Sequence, residues 1–156
     1  MELKFSFDLH DGFLPRKHTC EGMDISPGLV FLEVPQGAKT LALISDDPDA
    51  FAGDWVHWIV FNMPFNCRGL SEGMTKAREL SDGTKQGVND FGGIGWNGPC
   101  PPPGVHKYFF RLYALDCALD LPTNAAKPEL EEAMKNHIIA VAVVEAKYGA
   151  NSISIK

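Results

Sequence analysis

The chain has 156 residues, a formal net charge of −6 at pH 7 and no run of lysines and arginines. A chain of this length usually forms one domain, and we assign residues 1–156 to a single one. Its residues are 45% hydrophobic and 22% charged, which is typical of a globular protein and argues against disorder. Nucleic acids and anionic membranes bind to clustered positive charge, so neither is expected as a partner.

Hydrophobic segments are too short for a membrane protein. No apolar run approaches the ~18 residues that a membrane-spanning helix needs. The first residues lack the apolar core of a signal peptide. We therefore expect a cytoplasmic protein that is not an integral membrane protein.

Glycines and prolines divide the chain into short segments, which favours strands over long helices. Alternating or continuous apolar residues predict five strands, at 3–8, 29–34, 40–45, 54–62 and 106–115. Residues 66–104 show no periodic element, and a loop region of that length is usually functional or disordered. Its aromatic residues favour an ordered, functional loop.

The last third of the chain contains one predicted helix, 128–136. It has a proline at its start, glutamates in its first turn and an apolar stripe at helical spacing. Residues 138–148 predict a final strand, with a helix as the alternative. These elements together predict an all-β sandwich or barrel with about one to three short helices.

Alternation of side chains across a strand assigns faces to the two longest strands. In 106–115, His106 and Tyr108 should point the same way. In 54–62, one face should carry Trp55, His57, Ile59 and Phe61, and the other Val56, Trp58 and Val60.

The four cysteines are Cys20, Cys67, Cys100 and Cys117. None forms a C-x-x-C pair, so a structural zinc site is not expected. We expect four reduced and partly buried thiols. A disulfide is the alternative, since intracellular bridges occur in hyperthermophiles.

Two segments carry the candidate functional residues. The first contains Asp46, Asp47 and Asp49, followed by His57 between two tryptophans; the second runs from Gly98 to Tyr108 and contains His106. The aspartates could orient histidines or bind a ligand, or they could simply form a turn before Pro48. Each histidine alone could be a core residue. As a pair, with the Tyr108 hydroxyl and nearby backbone N–H groups, they could bind phosphate or carboxylate oxygens.

Two enzymatic alternatives are weaker. Two histidines with Asp47 or Asp49 would suit a divalent ion, but the spacing matches no known ligand signature, so no metal is expected. There is no G-x-S-x-G elbow, and Cys100 has no activating base nearby except His106.

These motifs resemble the phosphatidylethanolamine-binding protein family over nearly the whole chain. The matching residues are Asp47-Pro48-Asp49-Ala50, Trp55-Val56-His57-Trp58, Gly98-Pro99 and His106-Lys107-Tyr108. Two further stretches, 86–92 and 112–116, are similar to its bacterial and archaeal branch, often called Raf-kinase-inhibitor-like. One histidine of the His-His pair common in eukaryotic members is absent, because the pair is Val56-His57 here.

The resemblance implies a two-sheet antiparallel β-sandwich with short peripheral helices. It also implies a pocket for phosphate-like anions, including phosphorylethanolamine head groups, and no cofactor. Carried over by position, the residues lining that pocket would be Asp47, His57, His106 and Tyr108, framed by Asp49, Trp55, Gly98 and Pro99. Family members modulate kinases, inhibit serine proteases or act as scaffolds, and are generally not enzymes.

Three hypotheses follow. The first is a non-enzymatic protein that binds a small anion, with protonated His57 or His106 and Tyr108 as donors. The second is a serine-protease or kinase inhibitor acting through exposed loops such as 65–73 or 75–83. The third is a metal-dependent hydrolase in the same pocket. A homodimer is plausible, although no residue pattern specifies it.

Overall fold

The computed structural model describes residues 2–50, 53–100 and 104–149, which form two antiparallel sheets. The smaller sheet has the order β1-β2-β5 and contains β1 (Lys4–Ser6), β2 (Leu29–Glu33) and β5 (Gly69–Leu70). The larger sheet has the order β6-β4-β3-β7-β8 and contains β6 (Lys85–Gln86), β4 (Trp55–Pro64), β3 (Thr40–Asp47), β7 (Val105–Leu115) and β8 (Ile138–Gly149). The predicted antiparallel β-sandwich is confirmed.

The main core lies between the two sheets. Alternate residues of each strand point into it, so large apolar side chains from both sheets meet there. They include Phe5, Phe31, Leu43, Trp58, Phe110 and Leu112. Burial of each such side chain stabilises the fold by roughly 1.5–3 kcal/mol.

A second core covers the opposite face of the larger sheet. There, helix α1 (Lys127–Met134) packs Leu130 and Met134 against Ile44, Ile59 and Phe61. The helix starts where Glu129 accepts a hydrogen bond from the Ala126 N–H, and ends near Asn136, whose φ is +69°. The predicted helix 128–136 is thus confirmed within two residues at each end. No helix in the described part of the chain is long and apolar enough to cross a membrane.

Residues 138–149 are a strand and not the alternative helix. β8 pairs with β7 along nearly its full length, from Ile138 opposite Leu115 to Gly149 opposite Val105. Val, Ile and Tyr in this segment favour a sheet, and the pairing overrides the helical tendency of its alanines.

β4 contains two bulges, and the first of them changes the faces predicted for Val56 and His57. The pairing with β3 slips at His57, because Ser45 is opposite Trp58 whereas Asp46 is opposite Val56. It slips again near Asn62, which has a φ of +57°. A bulge inserts one residue and reverses the side-chain alternation beyond it. The predicted alternation was therefore wrong: Val56 joins Ile59 and Phe61 beneath α1, whereas His57 faces Tyr108 and Trp96.

Residues 66–100, the described part of the predicted loop 66–104, are ordered largely by side chains rather than by strands; positions 101–103 lie outside the described residues. Gln86 is 1% exposed, and its Nε2 donates to the carbonyls of Thr75 and Ala77 at 2.8 and 2.7 Å. Its Oε1 accepts from Trp58 Nε1 at 2.9 Å. One buried amide therefore fixes the path of an exposed loop.

Cys20 and Cys100 form a disulfide, so the expectation of four reduced thiols was wrong for this pair. The bridge joins two exposed loop residues separated by 80 positions in the chain. Cys67 and Cys117 are free.

Candidate functional site

An aspartate–histidine pair lies where β3 ends and β7 begins. These strands are antiparallel neighbours, so the last residue of one meets the first residues of the other. His106 Nδ1 donates to Asp47 Oδ2 at 2.8 Å, and Asp47 Oδ1 accepts from the Asp49 N–H at 2.9 Å. Both carboxylate oxygens are thus engaged, and Nε2 is the ring nitrogen of His106 left for a ligand.

Tyr108 lies on the same face as His106, as predicted for alternate residues of this strand. Its ring centroid is 6.4 Å from that of His106 and 5.3 Å from that of His57. Burial, together with the Asp47 charge, raises the pKa of Tyr108, so its hydroxyl keeps its proton. Within the described part of the chain, this hydroxyl has no hydrogen-bond partner. It is a free donor.

His57 contributes as a neutral side chain. Its Nδ1 donates to the carbonyl oxygen of Asn97 at 2.7 Å, since a carbonyl can only accept. Burial lowers the pKa of His57, which leaves its Nε2 as an acceptor at neutral pH. Of the two histidines, His106 is the one whose Nδ1 is paired with a carboxylate.

Aromatic side chains form one wall of the site. Trp55 is opposite Asp47 in the β3–β4 pairing. Phe91 packs edge-on against Trp55, with ring centroids 5.5 Å apart, and its ring is tilted against His57 at 5.4 Å. Phe91 was not among the predicted site residues, although it lies in the stretch 86–92 that supported the resemblance.

Gly98 and Pro99 lie beside the site, but their backbone groups already form hydrogen bonds within the protein. The Gly98 N–H donates to Asp24 Oδ1 at 2.8 Å, so it is not a free donor for an anion. A Cβ at Gly98 would lie 2.0 Å from the His18 carbonyl oxygen, which only glycine avoids. The Pro99 carbonyl accepts from the Cys20 N–H at 3.0 Å. These contacts, and the disulfide beside them, fix the loop that supplies the Asn97 carbonyl.

Asp49 was predicted to frame the site, but its carboxylate lies away from Asp47 and His106. It is exposed, and it contributes its backbone N–H to Asp47. Among the described residues, its carboxylate has no contact with the Asp47–His106 pair. Its position is that of a turn residue that orients Asp47.

Asp46 faces away from Asp47, into an ion-pair network formed by Asp46, Arg111, Lys127 and Asp54. Neighbouring strand residues point to opposite faces. Asp46 accepts from Arg111 Nη1 and, at 2.8 Å, from Lys127 Nζ, which also binds Asp54. Burial raises the pKa of Asp46, and the two cations oppose that effect. The network ties the start of α1 to the end of β3, directly behind the site. Its cations are distant in sequence, so we did not predict them.

Two buried histidines make stability depend on pH. Burial lowers the pKa of both His18 and His57, so the unfolded chain binds more protons than the folded chain below pH ~6.5. We expect the free energy of unfolding to fall from pH 7.5 to 5.5, by at most about 1.4 kcal/mol per pH unit for each histidine. Urea unfolding at both pH values measures this, and His57→Gln should reduce the slope. Equal stability at the two values would contradict it.

Comparisons with known proteins agree with this architecture. A family profile described as phosphatidylethanolamine-binding protein matches residues 7–149. A UPF0098 protein of Methanothermobacter thermautotrophicus is 50% identical over 137 residues, covering 88% of this chain and 91% of that protein. A UPF0098 protein of Aquifex aeolicus is 44% identical over 138 residues, covering 86% and 80%.

Two solved structures have the same fold. The crystal structure of a phosphatidylethanolamine-binding protein homologue from Chlamydia trachomatis has a TM-score of 0.83 at 37% identity, covering 96% of this chain and 98% of the other. That of E. coli YbcL, described as a member of the mammalian PEBP family, has a TM-score of 0.85 at 30% identity, covering 96% and 99%.

Proposed function

Because this chain belongs to the phosphatidylethanolamine-binding protein family, in its bacterial and archaeal type, we propose that it is a non-enzymatic protein that binds a small phosphate-like anion. The observation that carries the proposal is the pairing of His106 with Asp47 at 2.8 Å, beside a Tyr108 hydroxyl that has no hydrogen-bond partner among the described residues. Together they offer two donors on one face.

The charges of the site explain how an anion would bind beside an aspartate. Asp47 engages Nδ1 of His106, so that an imidazolium at this position would present its Nε2–H to the ligand. Hydrogen bonds from a charged donor are roughly twice as strong as neutral ones. The Tyr108 hydroxyl adds a second, uncharged donor. The ligand thus meets the imidazolium and not the carboxylate.

The remaining side chains suit a cationic group on the ligand. The faces of Trp55 and Phe91 attract an ammonium group, and neutral His57 offers an acceptor nitrogen. A zwitterion such as phosphorylethanolamine would place its phosphate against His106 and Tyr108 and its ammonium group against the aromatic wall. Inorganic phosphate would contact only His106 and Tyr108, so we expect it to bind more weakly.

Loss of the cationic donor should abolish most of this affinity. We expect His106→Gln to weaken phosphorylethanolamine binding by about 10- to 100-fold, because a hydrogen bond to a charged group contributes roughly 1.5–3 kcal/mol. Calorimetric titration at pH 6 measures the loss. Binding should also weaken in the wild type as pH rises to 8.5, where imidazoles are neutral.

The matched control is His10→Gln, which removes an exposed histidine elsewhere and should leave the affinity unchanged. In His106→Gln the pH dependence should disappear. Equal affinity in both variants, or a flat profile in the wild type from pH 5.5 to 8.5, would refute the role given to His106.

A second candidate function is inhibition of a serine protease or a kinase through a surface loop. It is favoured by the loop around residues 75–77, which is exposed yet held by the buried Gln86 amide at two carbonyls. A rigid exposed segment binds with less entropy loss than a mobile one. A serine-protease panel tests it. Inhibition should persist in His106→Gln, and parallel loss would contradict an independent surface.

We further propose a cytoplasmic location, with the disulfide as an intracellular bridge. Thiol alkylation before cell lysis tests this. Blocking of Cys67 and Cys117 alone, in protein recovered from the cytosolic fraction, is the expected pattern.

A further inference from the structure

A cluster of metal-ligating side chains lies at the opposite end of β7 from Asp47 and His106. Asp116 and Cys117 follow β7, and His137 precedes β8. One ligand atom from each lies within 4.8 Å of the others. In the described part of the chain, this is the one place that gathers three such groups.

Backbone contacts hold the three residues in place. The Asp116 N–H donates to the His137 carbonyl at 3.0 Å, and Thr40 Oγ1 donates to the Cys117 carbonyl at 2.7 Å. His137 is fixed by the end of α1, where its N–H donates to the Met134 carbonyl at 2.9 Å. Ligands positioned in this way lose little entropy when an ion binds.

The donor set selects a class of ion. A thiolate, an imidazole and a carboxylate are ligands of zinc-type ions, whereas magnesium and calcium prefer oxygen alone. His137 Nδ1 and Asp116 Oδ1 are now 2.8 Å apart. They would need to separate by only about half an ångström to become neighbouring ligands of a tetrahedral ion with bonds of ~2.0 Å.

From this geometry we propose that Asp116, Cys117 and His137 bind one zinc-type divalent cation, with solvent completing its coordination. The side chains of Asp116 and His137 are 51% and 45% exposed, so water can reach the remaining position. Three protein ligands and one open position are the arrangement of zinc sites that bind exogenous ligands.

Binding requires the thiol to lose its proton to solvent. Cys117 and Asp116 are adjacent in the chain, and a cation between the two groups accepts both as ligands. The overall charge of −6 also favours a cation.

This site is independent of the anion site. His106 and Leu115 lie nine residues apart on an extended strand, which corresponds to roughly 30 Å. A variant at Cys117 should therefore leave anion binding intact.

Titration of the untagged, disulfide-containing protein with Co²⁺ tests the proposal, because a cobalt–thiolate bond produces a charge-transfer band in the near ultraviolet. We expect a band that saturates at one ion per chain and disappears when Zn²⁺ is added. Cys117→Ser should remove the band, and His137→Gln should weaken cobalt binding at least tenfold.

Cys67→Ser is the matched control, because it removes the other free thiol, which donates to the Gly69 carbonyl. It should retain the band. Absence of a band in the wild type, its loss in Cys67→Ser, or saturation at one ion per two chains would each overturn the proposal.

Discussion

Replacing Cys20 and Cys100 together by serine should lower the free energy of unfolding by about 4 kcal/mol. The bridge joins residues 80 positions apart, so it removes much of the conformational freedom of the unfolded chain. Three hydrogen bonds between the same two loops remain without it: Cys20 N–H to Pro99, Gly98 N–H to Asp24 and Trp96 Nε1 to His18. The native structure should therefore persist. Urea unfolding of the wild type and the double variant measures the difference.

Two controls distinguish the effect of losing the bridge on stability from the effect of replacing cysteines. Cys117→Ser removes a free and partly exposed thiol, and should change the stability by less than about 1 kcal/mol. The reduced wild type should match the double variant. A double variant as stable as the oxidised wild type would show that the unfolded chain gains little freedom when the bridge is absent.

Asp46→Ala should lower the free energy of unfolding by about 3–5 kcal/mol. Asp46 is 1% exposed and binds both Arg111 and Lys127, whose side chains are 27% and 20% exposed. Removing the carboxylate leaves Arg111 without an ion-pair partner among the described residues and Lys127 with Asp54, so the desolvation of two partly buried cations is only partly offset. Chemical denaturation at pH 7 measures the loss.

Asp54→Ala is the matched control in the same network. Among the described residues Asp54 pairs with a single cation, Lys127, and it also hydrogen-bonds Asp46; because its side chain is 35% exposed, the expected loss is at most about 1 kcal/mol. Phosphorylethanolamine binding by folded Asp46→Ala should be retained, because Asp46 faces away from His106. Similar losses in the two variants would contradict the central place given to Asp46.

Local sequence patterns predicted six of the strands but not the two-residue strands β5 and β6. The alternation of apolar residues located β7, and it placed His106 and Tyr108 on one face as observed. The same rule was wrong for β4, because the bulge at His57 depends on pairing with β3 rather than on the residues of β4 alone. Periodicity describes one strand, whereas a bulge belongs to a pair of strands.

Contacts between distant segments were the least predictable part. Nothing near Asp46 in the sequence indicated Lys127, and the pairing of Cys20 with Cys100 required knowledge of how two loops meet. The neutral state of His57 also depends on burial, which the sequence did not specify. Motifs were sufficient to name the residues of the site. That His57 pairs with a backbone carbonyl and His106 with a carboxylate could be seen only in the folded structure.

The disulfide also determines what happens when the chain is cut. Residues 20–100 form a covalent ring that contains the loop held by Gln86, whereas β7, α1 and β8 lie outside it. A protease that cleaved one peptide bond near residues 75–77 would open the ring but release no fragment. The two fragments would remain joined through Cys20 and Cys100, and Gln86 would still bind the carbonyls of Thr75 and Ala77. The nicked protein would keep its mass, apart from one added water, until a reductant was supplied.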